Sequence, residues 1–331
     1  MPTPAPSTVG AASEAEVLGR ILDALQGSSQ ALVGPGDDAA VLAAPGGRVV
    51  VTTDTLVHGP DFRLAWSSAQ DLGAKSAAVN LADVAAMGAR PTALFVALAL
   101  PDDTELDFVS QLAGGFRAAC DELAPGCAVE GGDLTVSDTL TIAVTAIGVL
   151  DGAPVLRSGA RVGDVIAVCG ELGAAARGLA VLFDRFRSPG GAPIPVDRAQ
   201  LTAAETADLD AQLRPRPPVA QGVVAAGAGA TAMMDVSDGL LLDAGRLARA
   251  SGVTLVLAAA PGGTAWTDAA LRGGEDHALL ATFPPDAALP PGFRPIGEVV
   301  AAGAEPVTVA GAAGGGRGGW DPYRDWDAQR G

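Results

Sequence analysis

Short acidic phrases recur along this chain wherever an apolar run gives way to a turn. They read Gly36-Asp37-Asp38-Ala39, Thr53-Asp54, Gly132-Asp133, Asp235-Val236-Ser237-Asp238-Gly239 and Gly274-Glu275-Asp276. Mg2+ takes oxygen ligands in a near-octahedral array and shares them with substrate phosphates, so aspartates at the ends of separate elements are what a metal and phosphate site requires. Gly-Asp is also a common turn dipeptide, and each phrase alone, like Gly163-Asp164, is open to plain turn chemistry. Their number and order carry the reading.

With 331 residues, and about 150 per domain as a guide, the chain suggests two domains. Lys and Arg total 21 against 38 acids, a net charge of -17 that repels nucleic acid and anionic membrane surfaces. Lys75 is the one lysine, so a phosphate-bearing substrate would be met almost wholly by arginines. Cys120, Cys127 and Cys169 fit neither a disulfide framework nor a zinc spacing. Residues 1–10 lack the pattern of a signal peptide, and the longest apolar run, residues 93–100, is far below the roughly 18 residues of a membrane span. A cytoplasmic protein is expected.

Ser13 and Glu16 form a capping box ahead of a helical pattern closed by Gly27. β-rich runs at 39–42 and 48–53 follow, the second leaving Asp54 where a strand yields to a loop. Ser68 and Asp71 open a helix over 67–87, on which Asn80 and Asp83 share a face. Strands at 94–100, 127–130 and 140–150 and a helix at 105–123 complete an α+β first half, with a boundary at residues 150 and 151. The second half repeats the alternation: strand 164–169, helix 173–186, a Gly- and Pro-rich loop at 188–195, and helices at 197–213 and 219–226. Strand 231–234 delivers Asp235 to its end, Ser237 caps a helix over 239–250, and strands follow at 253–257 and 278–283. Residues 301–319 read as a low-complexity mobile stretch before Trp320, Tyr323 and Trp326.

Phosphoryl transfer asks for positioning and charge neutralisation, which several aspartates supply without a nucleophile. There are only two histidines, His58 and His277, and no G-x-S-x-G elbow, so triad hydrolysis has little support; the absence of a Walker motif excludes a P-loop kinase. Asp83 stands in a helix rich in Ala and Leu, where an unpaired carboxylate is costly to bury. Asp235, Ser237 and Asp238 offer a metal ligand beside a helix terminus suited to anions, and Arg157 is a candidate phosphate clamp. Helix capping, or a solvated side chain for Arg157, is the plainer reading of the same residues.

Taken in order, Gly36-Asp37-Asp38-Ala39, Thr52-Thr53-Asp54-Thr55-Leu56-Val57, residues 78–89, Gly131-Gly132-Asp133, Arg157-Ser158-Gly159-Ala160, residues 234–240 and Gly273-Gly274-Glu275-Asp276 resemble the thiamine-monophosphate kinase family. The resemblance covers nearly the whole chain. It implies two α/β domains of the aminoimidazole ribonucleotide synthetase-like type: residues 1–150, which bind ATP and magnesium and pair their sheet across a homodimer, and residues 151–331, an α/β sandwich with an aromatic tail. It implies direct transfer of the ATP γ-phosphoryl to thiamine monophosphate, assisted by several Mg2+ ions, with no phosphoenzyme. Asp38, Thr52, Thr53, Asp54, Asp83, Asp133, Asp235 and Asp238 would be the metal set, and Asp38, Asp54, Asp83, Asp133 and Asp235 would carry catalysis through it. Gly132, Asp133, Arg157 and Ser237 would hold ATP, and Asp61, Glu275 and Trp320 would meet the acceptor.

The chain departs from the family pattern on the acceptor side. Gly59-Pro60-Asp61-Phe62 stands where the family has His two residues after a Gly, with His58 where Glu is common. His277-Ala278 replaces Tyr-Glu, and Pro322-Tyr323 replaces His-Phe. The alternatives are a related ATP-dependent enzyme with another acceptor, or a nucleotide- or thiamine-phosphate-binding protein without catalysis. A selenophosphate synthetase would carry a reactive Cys or Sec with a Lys in its amino-terminal segment, and neither stands before Lys75; a hydrogenase maturation factor would end in Cys.

Overall fold

The β-branched run that begins at Val49 continues as strand β1 (Val49–Val57), past the point where the sequence suggested a loop, so Asp54 stands inside a strand. Its whole length pairs antiparallel with β4 (Thr141–Val149), Val49 opposite Val149 and Val57 opposite Thr141, and that ladder overrides the poor strand propensity of an aspartate. The computed structural model describes Thr8 and residues 14–29, 43–309 and 318–319. Asp38, the run at 39–42, the Ser13 capping box and Trp320 lie outside the described residues.

The first sheet has the order β1-β4-β2-β3, with β2 (Arg90–Leu100) antiparallel to β4 and parallel to β3 (Ala128–Val136). Helices α2 (Ala69–Ala86) and α3 (Leu106–Leu123) share a core with its even-numbered positions: Leu56, Leu94, Leu98, Ile142 and Val144 meet Leu81, Val84 and Phe116. Ser68 caps α2, accepting from Asp71 N at 3.2 Å while Asp71 accepts from Ser68 N at 2.9 Å. The two helices cross closely because Gly73 and Gly115 lie at the contact. A Cβ on either would stand 2.0 Å or 2.3 Å from a carbonyl oxygen of the other helix. Helix α1 (Glu14–Ala24) packs on α3. The opposite face of the sheet carries Val49 and Val51, 50% and 59% exposed.

The second sheet has six strands in the order β10-β7-β9-β5-β8-β6, antiparallel throughout except β10 with β7. Its strands are β5 (Val165–Cys169), β6 (Ala232–Val236), β7 (Val253–Leu257), β8 (Ala278–Phe283), β9 (Arg294–Ala301) and β10 (Val307–Val309). Five further helices accompany it: α4 (Ala174–Arg185), α5 (Ala203–Leu213), α6 (Val219–Gly227), α7 (Leu240–Ser251) and the short α8 (Asp268–Arg272). The described chain is thus α+β, with two sheets.

Four local expectations are corrected. Asp235 lies within β6, not beyond it, because Asp235 and Val236 still pair with Leu279 and Ala278. Ser237 does not cap α7; the cap is Gly239, at φ 118°, and Asp243 accepts the Asp238 N–H at 3.0 Å instead. The pattern over 197–213 breaks at Thr202, whose extended backbone and capping box with Glu205 start α5 afresh after a 3-10 turn at Arg198–Gln200. Within 301–319, Val307-Thr308-Val309 forms β10, a β-branched edge strand on β7.

The halves also interlock. Trp66, just before α2, enters the small core of α4 and α5 with Leu182, Phe186, Leu209 and Leu213, and its indole N–H donates to Phe186 O at 3.0 Å. Arg214 pairs with the buried carboxylate of Asp71.

Candidate active site

Thr52, Asp54 and Leu56 alternate onto the face of β1 that meets α2. There Thr52 Oγ1 donates to Asp83 Oδ2 at 2.9 Å. From the second half β6 brings Asp235, 3% exposed, whose Oδ2 lies 3.1 Å from His277 Nδ1. Burial, and next the nearby Asp235 charge, push the Asp83 carboxyl up to about 6 against the Thr52 hydrogen bond. Asp54 is exposed to solvent, yet partial desolvation also raises it, with His277 opposing and Asp235 adding. For His277 burial works against the charged form, but the hydrogen bond and charge of Asp235 outweigh it and the ring is raised. Two buried atoms here, Asn80 Oδ1 and His277 Nε2, have no hydrogen-bond partner among the described residues.

The stretch from Gly273 to His277 lies against the end of β6 and gives three neighbours different tasks. Glu275 and His277 hold left-handed backbones, φ 75° and 52°, which for residues with a Cβ are strained. Hydrogen bonds fix them: Glu275 N donates to Ser237 O at 2.8 Å and His277 N to Val236 O at 3.1 Å. Asp276 turns the other way and caps α4, accepting from Gly173 N at 2.6 Å and Ala175 N at 2.8 Å. Glu275 forms an ion pair with Lys75 of α2, which also donates to Gln212 O at 3.3 Å. Desolvation alone would raise the partly exposed Glu275 carboxyl; Lys75, with His277, outweighs it and holds the group below the usual carboxylate range.

Beside this stretch opens a cavity of about 600 Å³, the size of a small-molecule site. Its walls include Asp61, Lys75, Ser237, Asp238 and Glu275 toward the aspartates, and Arg63, Trp66, Leu179 and Phe183 along the helices α4 and α5. Asp61 Oδ2 is held by Val57 N at 2.7 Å, and burial raises its carboxyl.

Residues 36–150 match the family model "AIR synthase related protein, N-terminal domain". The thiamine-monophosphate kinase of Mycobacterium tuberculosis is 41% identical over 331 residues, 96% of this chain and 93% of its own length. The chain belongs to the thiamine-monophosphate kinase family. Solved members agree: that of Stenotrophomonas maltophilia K279a superposes with a TM-score of 0.73 at 34% identity, covering 90% of this chain and 97% of its own. A complex described as AaThiL with AMPPCP and TMP gives 0.69 at 30% identity, covering 90% and 94%.

Of the residues that the family pattern marks, the fold brings Thr52, Asp54, Asp83 and Asp235 together and places Asp61, Ser237 and Glu275 at the cavity beside them. Others stand apart. Asp133 pairs with Ala97, whose neighbour Leu98 faces the core, so Asp133 faces the opposite side of the sheet, as Thr53 does. It is also three strands from Asp54, about 14 Å at the usual spacing. Gly132 precedes it, where a Cβ would stand 2.0 Å from Val96 O. Asp238, by contrast, lines the cavity, although its carboxylate is already paired with Arg246 at 2.6 Å. Arg157 is exposed, with its carbonyl accepting from Ser251 Oγ at 2.7 Å. Among the described residues no three of His, Cys, Asp and Glu converge as a ready-made metal cage.

Family phrases did not mark several residues that shape the site. Lys75, 4% exposed, could have been found by the reasoning applied to Asp83, since a lone cation in an Ala-rich helix also needs a partner. The role of His277 lies in its contact with Asp235, invisible at 42 residues' separation. Arg246 and the fully buried Asp243 support Asp238. His58 is exposed beside Phe62, with ring centroids 5.6 Å apart, as a solvated loop histidine would be.

Proposed function

We propose that this chain transfers the terminal phosphoryl group of ATP to the phosphate of thiamine monophosphate, giving thiamine diphosphate and ADP in the cytoplasm. The observation that carries the reading is the placing of the cavity: its Ser237 to Glu275 end adjoins Asp54, Asp83 and Asp235, so an acceptor lying in it presents its phosphate to the aspartates. The kinship stated above agrees with it, including a member solved with AMPPCP and TMP.

The donor set suits Mg2+. All its atoms are hard oxygens, Asp83 is raised by burial and next by the neighbouring Asp235 charge, and Asn80 Oδ1 is a buried oxygen without a partner among the described residues. Thr52, Asp54, Asp83 and Asp235 would hold the ion, with Asp38 added from the first acidic phrase. Mg2+ usually binds through one or two carboxylates and completes its shell with water and phosphate, so a prebuilt protein cage is not required. Bound there, it supplies neutralisation of the polyphosphate charge. The chain's own residues then position the partners. Glu275 and Asp61 set negative charge beside the thiazolium, with Trp320 as a further acceptor contact, and Phe62, Trp66 and Leu182 keep water from the walls. Direct transfer suits a site whose buried histidine is already engaged with Asp235.

Gly132, Asp133, Arg157 and Ser237 are proposed for ATP, and Thr53, Asp133 and Asp238 for additional metal contacts. Because Asp133 and Asp54 lie at opposite edges and faces of one sheet, a second copy is the way to bring them together. We therefore place residues 1–150 at a homodimer interface that covers Val49 and Val51, with 151–331 as the outer domain. Separate quantitation of ADP and thiamine diphosphate, with Mg2+ and with EDTA, tests the activity. Equal, metal-dependent amounts are expected; ATP binding without thiamine diphosphate would overturn it.

A further inference from the structure

Arg63 is held in an unusual way at the end of the cavity away from the aspartates. Its guanidinium carbon lies 4.7 Å from the Trp66 ring centroid and 5.1 Å from that of Phe183. The two rings meet edge to face, centroids 5.1 Å apart at 70°, and Arg187 lies 5.3 Å from the Phe183 centroid. Trp66 is itself fixed by its hydrogen bond to Phe186 O. Among the described residues the Arg63 side chain has no ion pair and no hydrogen bond, although it is half-buried and lines the cavity. Aromatic faces satisfy a guanidinium's plane and leave the N–H donors along its edge for a ligand.

We infer that Arg63 is a specificity-determining residue, donating hydrogen bonds to the ring nitrogens of the acceptor's aminopyrimidine while Trp66 and Phe183 hold it in place. This rests on the acceptor reading above. A guanidinium has donors only, so it matches the lone pairs of ring nitrogens and is mismatched to a cation. The thiazolium accordingly lies nearer Asp61 and Glu275, the carboxylates of the same cavity. Arg63 follows directly on the stretch in which Asp61 replaces the family's usual histidine.

The test is steady-state kinetics of wild type, Arg63→Met, Arg63→Lys and Phe183→Leu with thiamine monophosphate, beside the inhibition constant of the thiazole fragment, hydroxyethyl-methylthiazole phosphate. Methionine keeps apolar contact with the rings, so folding, checked by thermal melting, should survive. Arg63→Met is expected to raise KM for thiamine monophosphate about tenfold, more than it changes KM for ATP or kcat. Arg63→Lys should not rescue it, since the planar fork is lost. Phe183→Leu should raise the same KM, and the thiazole fragment should bind every variant alike. An unchanged KM for thiamine monophosphate, or equal losses for the fragment and the whole acceptor, would overturn the inference while leaving the kinase reading intact. A wild type that forms no thiamine diphosphate overturns the acceptor reading, and the inference falls with it.

Discussion

On one side of the site Asp54, Asp83 and Asp235, from β1, α2 and β6, lie near enough to shift one another's carboxyls with one histidine among them, and on the other the carboxylates of Glu275 and Asp71 each meet a cation. Lys75 answers Glu275 and Arg214 answers Asp71, whereas Asp83 is left with a threonine hydroxyl and is pushed up to about 6. Neutralised pairs make a stable wall that discriminates by shape and hydrogen bonding. Unneutralised carboxylates store a demand for positive charge, which an arriving cation meets.

If that contrast is real, substitutions on the two sides should differ in kind. Asp83→Asn and Asp235→Asn should each lower turnover about 10³-fold, with little loss of stability in the metal-free protein, because the carboxylates serve charge neutralisation. Turnover unchanged in both variants would remove the metal assignment. On the wall, the ion pair should respond asymmetrically. Lys75 has a 5% exposed side chain and Glu275 a 41% exposed one, so Glu275→Gln strands a buried cation while Lys75→Met leaves a carboxylate that water can reach. We expect losses of about 3 kcal/mol and about 1 kcal/mol respectively in chemical denaturation; equal losses would mean that the pair is not buried on one side only.

The aspartate side also predicts a pH effect. Asp83 and Asp243 both stand at about 6, the second chiefly through burial, so the folded chain keeps protons that the unfolded chain has released. Their contribution to stability is full below about pH 4 and is lost as pH rises through 6, on the order of 2 kcal/mol for the pair after screening. Denaturant midpoints of metal-free protein between pH 4 and 7 should show this fall, with Mg2+ reducing it; a flat profile would mean that these carboxylates are not disfavoured. The smallest effect belongs to the frame that both sides share. Ser68→Ala should cost about 1 kcal/mol by removing the cap of α2, the helix that carries both Lys75 and Asp83, and leave KM values unmoved at low temperature.

Much of this was legible in the sequence where the signal is local. The α2 capping box, the helix 106–123 and the strands around Ile142 and Val168 follow from period and caps; the acidic phrases single out Asp54 and Asp235, and the cost of burying a carboxylate in an Ala-rich helix singles out Asp83. What escaped was set by distant partners. Strand β1 runs through Asp54 because β4 pairs along its whole length, Ser237 loses the cap to a left-handed glycine, and Lys75 meets Glu275 across 200 residues. The aromatic wall at Arg63 was equally hidden, since Phe183 comes from a helix whose docking against Trp66 no local pattern announces.

The most direct measurement is the Mg2+ dependence of thiamine diphosphate formation from ATP and thiamine monophosphate, in wild type beside Asp83→Asn. The proposed mechanism predicts turnover that saturates with Mg2+, is abolished by EDTA and falls about 10³-fold in the variant at any Mg2+ concentration. Product formation that persists in EDTA, or an Asp83→Asn variant as fast as wild type, would contradict it.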